Sequence, residues 1–201
     1  MPIQLFLQRP TVRAKLTGGI RRNKLERHQA VRCPGRKEKV AMEHSLSASK
    51  SQEARNKAIV ERYFREVLDQ RKIDVLPELM APDAVLHRPG LDVIGLEAAM
   101  RRLSATFEDY SGFSSKLSGL MAEGDMVSVR ILHRTTVRPH TFRSRAGEVP
   151  LARDQELNWT AIVQFRLKEG KIVEEWVMRD ELGMLAQLGT VTVVPREHGR
   201  A

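Results

Sequence analysis

Asp180, His133 and His87 are the side chains in this 201-residue chain best suited to moving a proton. A carboxylate that is poorly solvated and close to an aromatic ring has a raised pKa and can act as acid or base near neutral pH. An imidazole does so without help. Asp180 stands at the polar end of an apolar strand face, and immediately before a helix that it is also suited to cap. His133 continues the alternation Val127, Val129, Ile131, as a proton shuttle in a pocket or as a hydrogen-bonded core histidine. His87 ends a brief strand at a prospective pocket rim. Around this set, Trp159 and Trp176 offer flat faces to an aromatic ligand, Tyr63 a hydroxyl to orient a carbonyl, and Val163 and Met178 an apolar lining. Core packing is the competing role for the two tryptophans and Tyr63.

Other chemistries leave no trace. The chain has no Gly-rich phosphate loop, no His-Glu-x-x-His zinc motif and no Gly-x-Ser-x-Gly elbow, which speaks against nucleotide-driven, zinc and serine-hydrolase mechanisms. Cys33 is the only cysteine, so neither an intramolecular disulfide nor a thiolate metal cluster can form, and a reducing cytoplasm is the expected location. No apolar run approaches the roughly 20 residues that span a bilayer.

The elements that must position these residues follow from periodicity. Ala58, Ile59, Tyr63, Phe64, Val67 and Leu68 recur at helical spacing and predict a helix over residues 52–69. A second short helix is expected over 73–80 and a brief strand over 84–87. A third helix is expected over 96–110, where Leu96, Ala99, Met100, Leu103 and Phe107 keep the period. Strands are expected over 115–121 and 126–137, joined by a turn at Glu123-Gly124-Asp125, and over 157–167 and 171–179, joined at Glu169-Gly170, with a closing helix over 181–188. Helices first and long antiparallel strands afterwards predict an α+β fold, one curved sheet wrapped against helices.

A two-residue turn at Glu169-Gly170 fixes the last hairpin's register. It sets Val163 opposite Trp176, Ala161 opposite Met178 and Trp159 opposite Asp180, so Trp159, Val163, Trp176 and Met178 share one interior face. Glu174 is in phase with that face but close to the turn. A β-bulge near Trp176 would shift the assignment by one residue. The intervening loop, 138–153, carries Arg138, His140, Arg143, Arg145 and Arg153, which could attract a substrate's carboxylate or phosphate or simply be solvated.

The charge is uneven. Residues 1–41 hold eleven Lys or Arg against two Glu, and the remainder balances at 23 of each, so the pI of about 10.1 describes an appendage. Residues 1–50 lack a hydrophobic period and are expected to be disordered, followed by a domain over 51–190 and a tail over 191–201. The composition changes abruptly at Met42, which is consistent with a start there and an untranslated upstream segment. The alternatives are a transit-peptide-like leader or a basic arm gripping phosphates, and nucleic acid is not an expected partner unless that arm is used.

The order of elements, Glu123-Gly-Asp-Met-Val-Ser-Val-Arg130, and the run Gly170-Lys-Ile-Val-Glu-Glu-Trp176 through Asp180 to Leu182-Gly-Met-Leu-Ala-Gln-Leu-Gly189 resemble the SnoaL-like polyketide cyclases of the nuclear-transport-factor-2-like (NTF2-like) superfamily, over about residues 56–189. The resemblance implies a cone-shaped fold enclosing one apolar pocket, a homodimer formed through the sheets, and neither cofactor nor metal. It implies an intramolecular aldol cyclisation driven by an acid in the pocket. Aligned without gaps, that acid falls at Val177 and a neighbouring-strand histidine at Val163, and valine can neither take nor give a proton. The resulting expectation is a small apolar molecule in an enclosed pocket, processed without a cofactor by cyclisation, isomerisation, dehydration or hydrolysis. The alternative is a non-catalytic ligand-binding or dimerisation module.

Overall fold

The amphipathic pattern around Ile59 builds a helix, but one that starts earlier and ends differently from the expected one. The computed structural model describes residues 35–144 and 147–191, without the side chains of residues 143, 144 and 147. Helix α1 spans Arg36–Arg62. Residues 36–50, expected to be disordered, are thus helical although exposed. Good helix formers dominate there, Glu38 accepts a 2.6 Å hydrogen bond from the Gly35 N–H, and the pairs Ser49–Glu53 and Ser51–Arg55 support the exposed face. The basic stretch upstream of residue 35 and the tail beyond 191 lie outside the described residues.

From Tyr63 to Asp69 the chain continues as a π-helix. The wider turn buries Tyr63, Phe64, Val67 and Leu68 together, and such segments recur at functional sites. A 3₁₀ turn, Ile73–Val75, and a one-turn helix α2, Leu76–Leu79, follow. Strand β1, Met80–Arg88, is longer than expected and folds back on β2, Leu91–Ile94, which the sequence reading did not include. Helix α3 spans Leu96–Asp109, β3 Tyr110–Glu123 and β4 Met126–Val137. Within the loop expected over 138–153 stands a small hairpin of β5, Thr141–Ser144, and β6, Gly147–Pro150. Strands β7, Gln155–Lys168, and β8, Lys171–Arg179, and helix α4, Glu181–Gln187, complete the chain.

Six strands form one curved sheet in the order β2-β1-β8-β7-β4-β3. Every pairing is antiparallel except β1 with β8, so the sheet is mixed. Its inner face packs on the π-helical segment and α3 to make the α+β cone. Tyr63, Phe64 and Phe165 meet edge to face there, with ring centroids 5.2–5.8 Å apart. Each such buried ring contributes roughly 1.5–3 kcal/mol through burial. Asn56 of α1 donates to the Gly124 carbonyl at 3.1 Å and Glu53 accepts from its N–H at 3.2 Å, docking α1 on the β3–β4 turn.

The last hairpin decides the site. Glu169 and Gly170 both have positive φ, 52° and 76°, as a two-residue turn of the mirror-image type requires. Leu167 faces Ile172 in the expected register, but Arg166 already faces Glu174, leaving Val173 as an extra residue. Beyond this bulge Val163 faces Val177 and Ala161 faces Arg179. Every side chain of β8 after Val173 therefore changes face. Trp176 and Met178, expected inside, stand on the outer face.

Candidate active site

Because of the bulge, β8 presents Glu175, Val177 and Arg179 to the cone's interior. With residues of the π-helical segment, α3, β1, β3, β4 and β7 they enclose a cavity of about 140 Å³. Its floor and walls are mainly apolar: Phe64, Phe113, Trp159 and Val163 contribute, with Phe113 and Trp159 edge to face at 5.8 Å. The volume suits a ligand near the size of a single aromatic ring, since an engineered apolar cavity of about 150 Å³ holds benzene.

Two polar groupings interrupt the apolar wall. In the first, the Arg88 guanidinium donates to Glu175 Oε2 at 2.8 Å and engages the Tyr63 hydroxyl. Glu175 is 1% exposed. Burial lifts its carboxyl above the usual range against the pull of Arg88. Burial also works against the charge of Arg88, but Glu175 and Tyr63 outweigh it. Burial, reinforced by Glu175, pushes the Tyr63 hydroxyl well above its ordinary value, so it remains a protonated donor.

The second grouping is a chain of three residues. Ser115 Oγ donates to Asp69 Oδ1 at 2.7 Å and lies 3.1 Å from His133 Nδ1. A hydroxyl has one proton. Since it goes to the Asp69 carboxylate, Ser115 accepts from His133 Nδ1–H, and Nε2 carries the lone pair. Among the described residues no deeply buried side-chain nitrogen or oxygen lacks a partner, and no partner for Nε2 exists, so Nε2 opens on the cavity that His133 lines. Burial, helped by nearby Arg88, lowers the His133 pKa to about 4. The imidazole is therefore neutral at pH 7.

The residues singled out in the sequence divide between two places. Tyr63, His133, Trp159 and Val163 line the interior cavity. His87, Trp176, Met178 and Asp180 line an open groove on the outer face of the sheet. His87 stacks on Trp176 at 5.5 Å and bridges Asp92 and Glu174, at 3.0 and 3.1 Å, which raise its pKa, Glu174 most. Glu174, in phase with the interior face in the expected register, is moved by the bulge to that outer face, where it also meets Arg166 at 3.1 Å. Asp180 is exposed and its Oδ1 accepts from the Gly183 N–H at 2.9 Å, capping α4. His87, His133 and Asp180 thus do not converge. The loop arginines are dispersed too: Arg138 donates to the Glu108 carbonyl, Arg153 is exposed, and the side chains of Arg143 and Arg145 lie outside the described part.

Sequence reasoning missed Arg88, Glu175, Ser115 and Asp69. The signal for Glu175 was present, a carboxylate in an otherwise interior strand, but the bulge at Val173 put it one residue out of phase. Val177 and Val163, where the resemblance places an acid and a histidine, are register partners on the inner face and both line the cavity. The position to which the resemblance assigns an acid is inside, and here it is apolar.

Comparison with solved structures gives the same fold. IdmH from Streptomyces antibioticus, a candidate polyketide cyclase, is 26% identical with a TM-score of 0.55, over 67% of this chain and 98% of its own. A candidate SnoaL-like polyketide cyclase from Jannaschia sp. CCS1 is 23% identical with a TM-score of 0.57, over 70% of this chain and 95% of its own. An LEH-like epoxide hydrolase from M. tuberculosis is 16% identical with a TM-score of 0.55, over 68% of this chain and 91% of its own. The search of curated proteins finds no significant match. The family model for SnoaL-like polyketide cyclases matches residues 58–188, which takes in both polar groupings and the whole six-stranded sheet. By that match, the cone and the enclosed cavity, the chain belongs to the SnoaL-like polyketide cyclase family.

Proposed function

We propose that the protein is a cofactor-independent enzyme that moves a proton on a small, mostly apolar carbonyl compound held in the interior cavity. The observation that carries this reading is the pairing, in one cavity, of a neutral histidine whose Nε2 is bare with a half-buried guanidinium. A carbonyl oxygen placed against Arg88 and the Tyr63 hydroxyl is polarised. His133 Nε2 then takes a proton from the adjacent carbon, and the C–H electron pair passes through the new double bond to the oxygen, giving an enolate beside Arg88. Nearby Arg88 ordinarily opposes protonation of His133. The enolate formed in the same step offsets that repulsion, and the resulting imidazolium is a strong enough acid to return the proton elsewhere on the substrate. Isomerisation, dehydration and ring closure by carbon–carbon bond formation all begin with this step. Trp159 and Phe113 supply the flat apolar wall that orients the substrate.

The test is deuterium exchange at the carbon next to the carbonyl of phenylacetone in D₂O. Wild-type protein is expected to accelerate exchange, His133→Gln to reduce it at least about a hundredfold, the range for loss of a general base, and His87→Gln to leave it unchanged. Equal exchange in wild type and His133→Gln contradicts the mechanism.

We also propose that the outer face of the sheet pairs with a second copy of the chain. Met178 is 76% exposed, and Ile162 and Leu182 beside it are exposed as well, an apolar surface that a monomer would leave in water.

A further inference from the structure

The charge along the cavity wall is lopsided. Three arginines, Arg88, Arg102 and Arg179, line it against one carboxylate, Glu175, which is committed to Arg88. Arg102, from α3, and Arg179, from the end of β8, also line an adjoining cleft of about 80 Å³, and Tyr110 lies with them in both spaces. Arg179 shares its charge with Glu181 at 2.8 Å. Arg102 has no carboxylate partner among the described residues and is exposed.

Tyr110 supplies an independent indication. It is partly buried among Phe113, Trp159 and His140, with ring centroids 5.9–6.4 Å away, yet its hydroxyl has no hydrogen-bond partner among the described residues. Burial raises its pKa, Arg179 pulls the other way, Asp109 adds to the rise and Arg102 opposes it, and both arginines line the same two spaces as the Tyr110 ring. The cleft's acid, Asp109, lies 3.8 Å from His140 Nε2. Two guanidinium groups and one phenol therefore line the cleft together, with Glu181 paired to Arg179 and Asp109 on the His140 side as its carboxylates. Two guanidinium groups and a free phenol outnumber the one carboxylate left in the cleft, a balance complementary to an anion, and a guanidinium matches a carboxylate in two-pronged geometry.

We propose that the ligand of this cavity is a small carboxylic acid whose carboxylate is held by Arg102, Arg179 and the Tyr110 hydroxyl, with its apolar body against Trp159 and Phe113. This rests on the reading of the cavity as a substrate site and adds the substrate's class. The carboxylate anchors one end at the cleft, and the reacting carbonyl lies deeper, between Arg88 and His133.

Benzoate and benzamide are matched probes, equal in size and flatness but different in charge. Calorimetric titration of the full chain is expected to show benzoate binding at least about tenfold more tightly than benzamide, with the preference shrinking in high salt. Arg102→Gln, at an exposed position that spares the fold, is expected to remove that preference by weakening benzoate far more than benzamide, and Arg179→Lys to weaken benzoate binding about tenfold. Equal affinity, a preference for benzamide, no benzoate binding, or an unchanged preference in Arg102→Gln overturns the proposal. The two readings separate cleanly. His133→Gln should bind benzoate as wild type does, so Arg102-dependent binding without proton exchange would refute the mechanism alone. Proton exchange on phenylacetone without selective benzoate binding would refute the anion site alone.

Discussion

Tyr63 and Asp69 are the first and last residues of one π-helical segment, and each supports a different polar group of the cavity. Tyr63 engages Arg88, which Glu175 holds, and Asp69 accepts from Ser115, which orients His133. The wide turn between them lets a single stretch of backbone set both. Shortening it to a regular helix would rotate one away from its partner.

Ser115→Ala removes the acceptor for His133 Nδ1–H without adding bulk. The imidazole is then free to exchange its proton between nitrogens, and the fraction with a bare Nε2 falls. The expected outcome is a drop in deuterium-exchange rate of about tenfold with little change in ligand affinity, measured on phenylacetone. Ser115→Thr keeps the hydroxyl and should restore most of the rate, an outcome that a purely structural role for Ser115 would not require.

Acid should weaken the fold through His133. Its folded pKa, about 4, lies below the ordinary value of 6.5, so between those values the unfolded chain binds the proton and the folded chain does not. Stability from this group is complete above about pH 6.5 and is lost as pH falls toward 4, up to about 3 kcal/mol. Urea unfolding of wild type and His133→Gln at several pH values should show a shallower slope for the variant over that window.

The Arg88–Glu175 pair is tested by removing one partner. Glu175→Ala strands a half-buried guanidinium and should cost about 2–4 kcal/mol, whereas Arg88→Met with Glu175→Leu should recover much of that loss. Denaturant midpoints of the three variants measure the cycle, and the double variant should also lose proton exchange, because the carbonyl then lacks its polarising charge.

Asp180 and the outer face carry separate expectations. Asp180→Ala should cost about 1 kcal/mol by uncapping α4, and Asp180→Asn almost nothing, with proton exchange unaffected by Asn. Met178→Glu places a charge on the proposed self-association face and should shift sedimentation toward the monomer while leaving benzoate affinity intact. A wild-type chain already monomeric at high concentration would exclude that pairing.

Helix and strand types along the described core were legible because their periods are strong: Val127, Val129, Ile131 and His133 do share the buried face of β4. The turn at Glu169-Gly170 was legible from its residue types. What followed it was not. A single extra residue, Val173, exchanges the faces of β8, and neither its type nor its spacing marks it as a bulge. Its cause is tertiary: Ile172 is fixed in the core and Glu175 is drawn inward by Arg88, contacts made with a strand more than eighty residues earlier. That shift moved Trp176 and Met178 outside and brought Glu175 and Arg179 in. The Ser115–Asp69 contact was hidden for a related reason, since a regular helical period gives no sign of the π turn that places Asp69. The exposed helix over residues 36–50 had no hydrophobic period to reveal it, because it packs on nothing among the described residues.

The proposed proton transfer requires His133 to be neutral and bare at Nε2. Nitrogen-15 NMR of histidine-labelled protein reads this directly, with His87 as an internal reference. One His133 species is expected from pH 5.5 to 8, protonated at Nδ1 and titrating near pH 4, while His87, between Glu174 and Asp92, titrates above its ordinary value. A His133 protonated at Nε2, or titrating at or above 6.5, would contradict it.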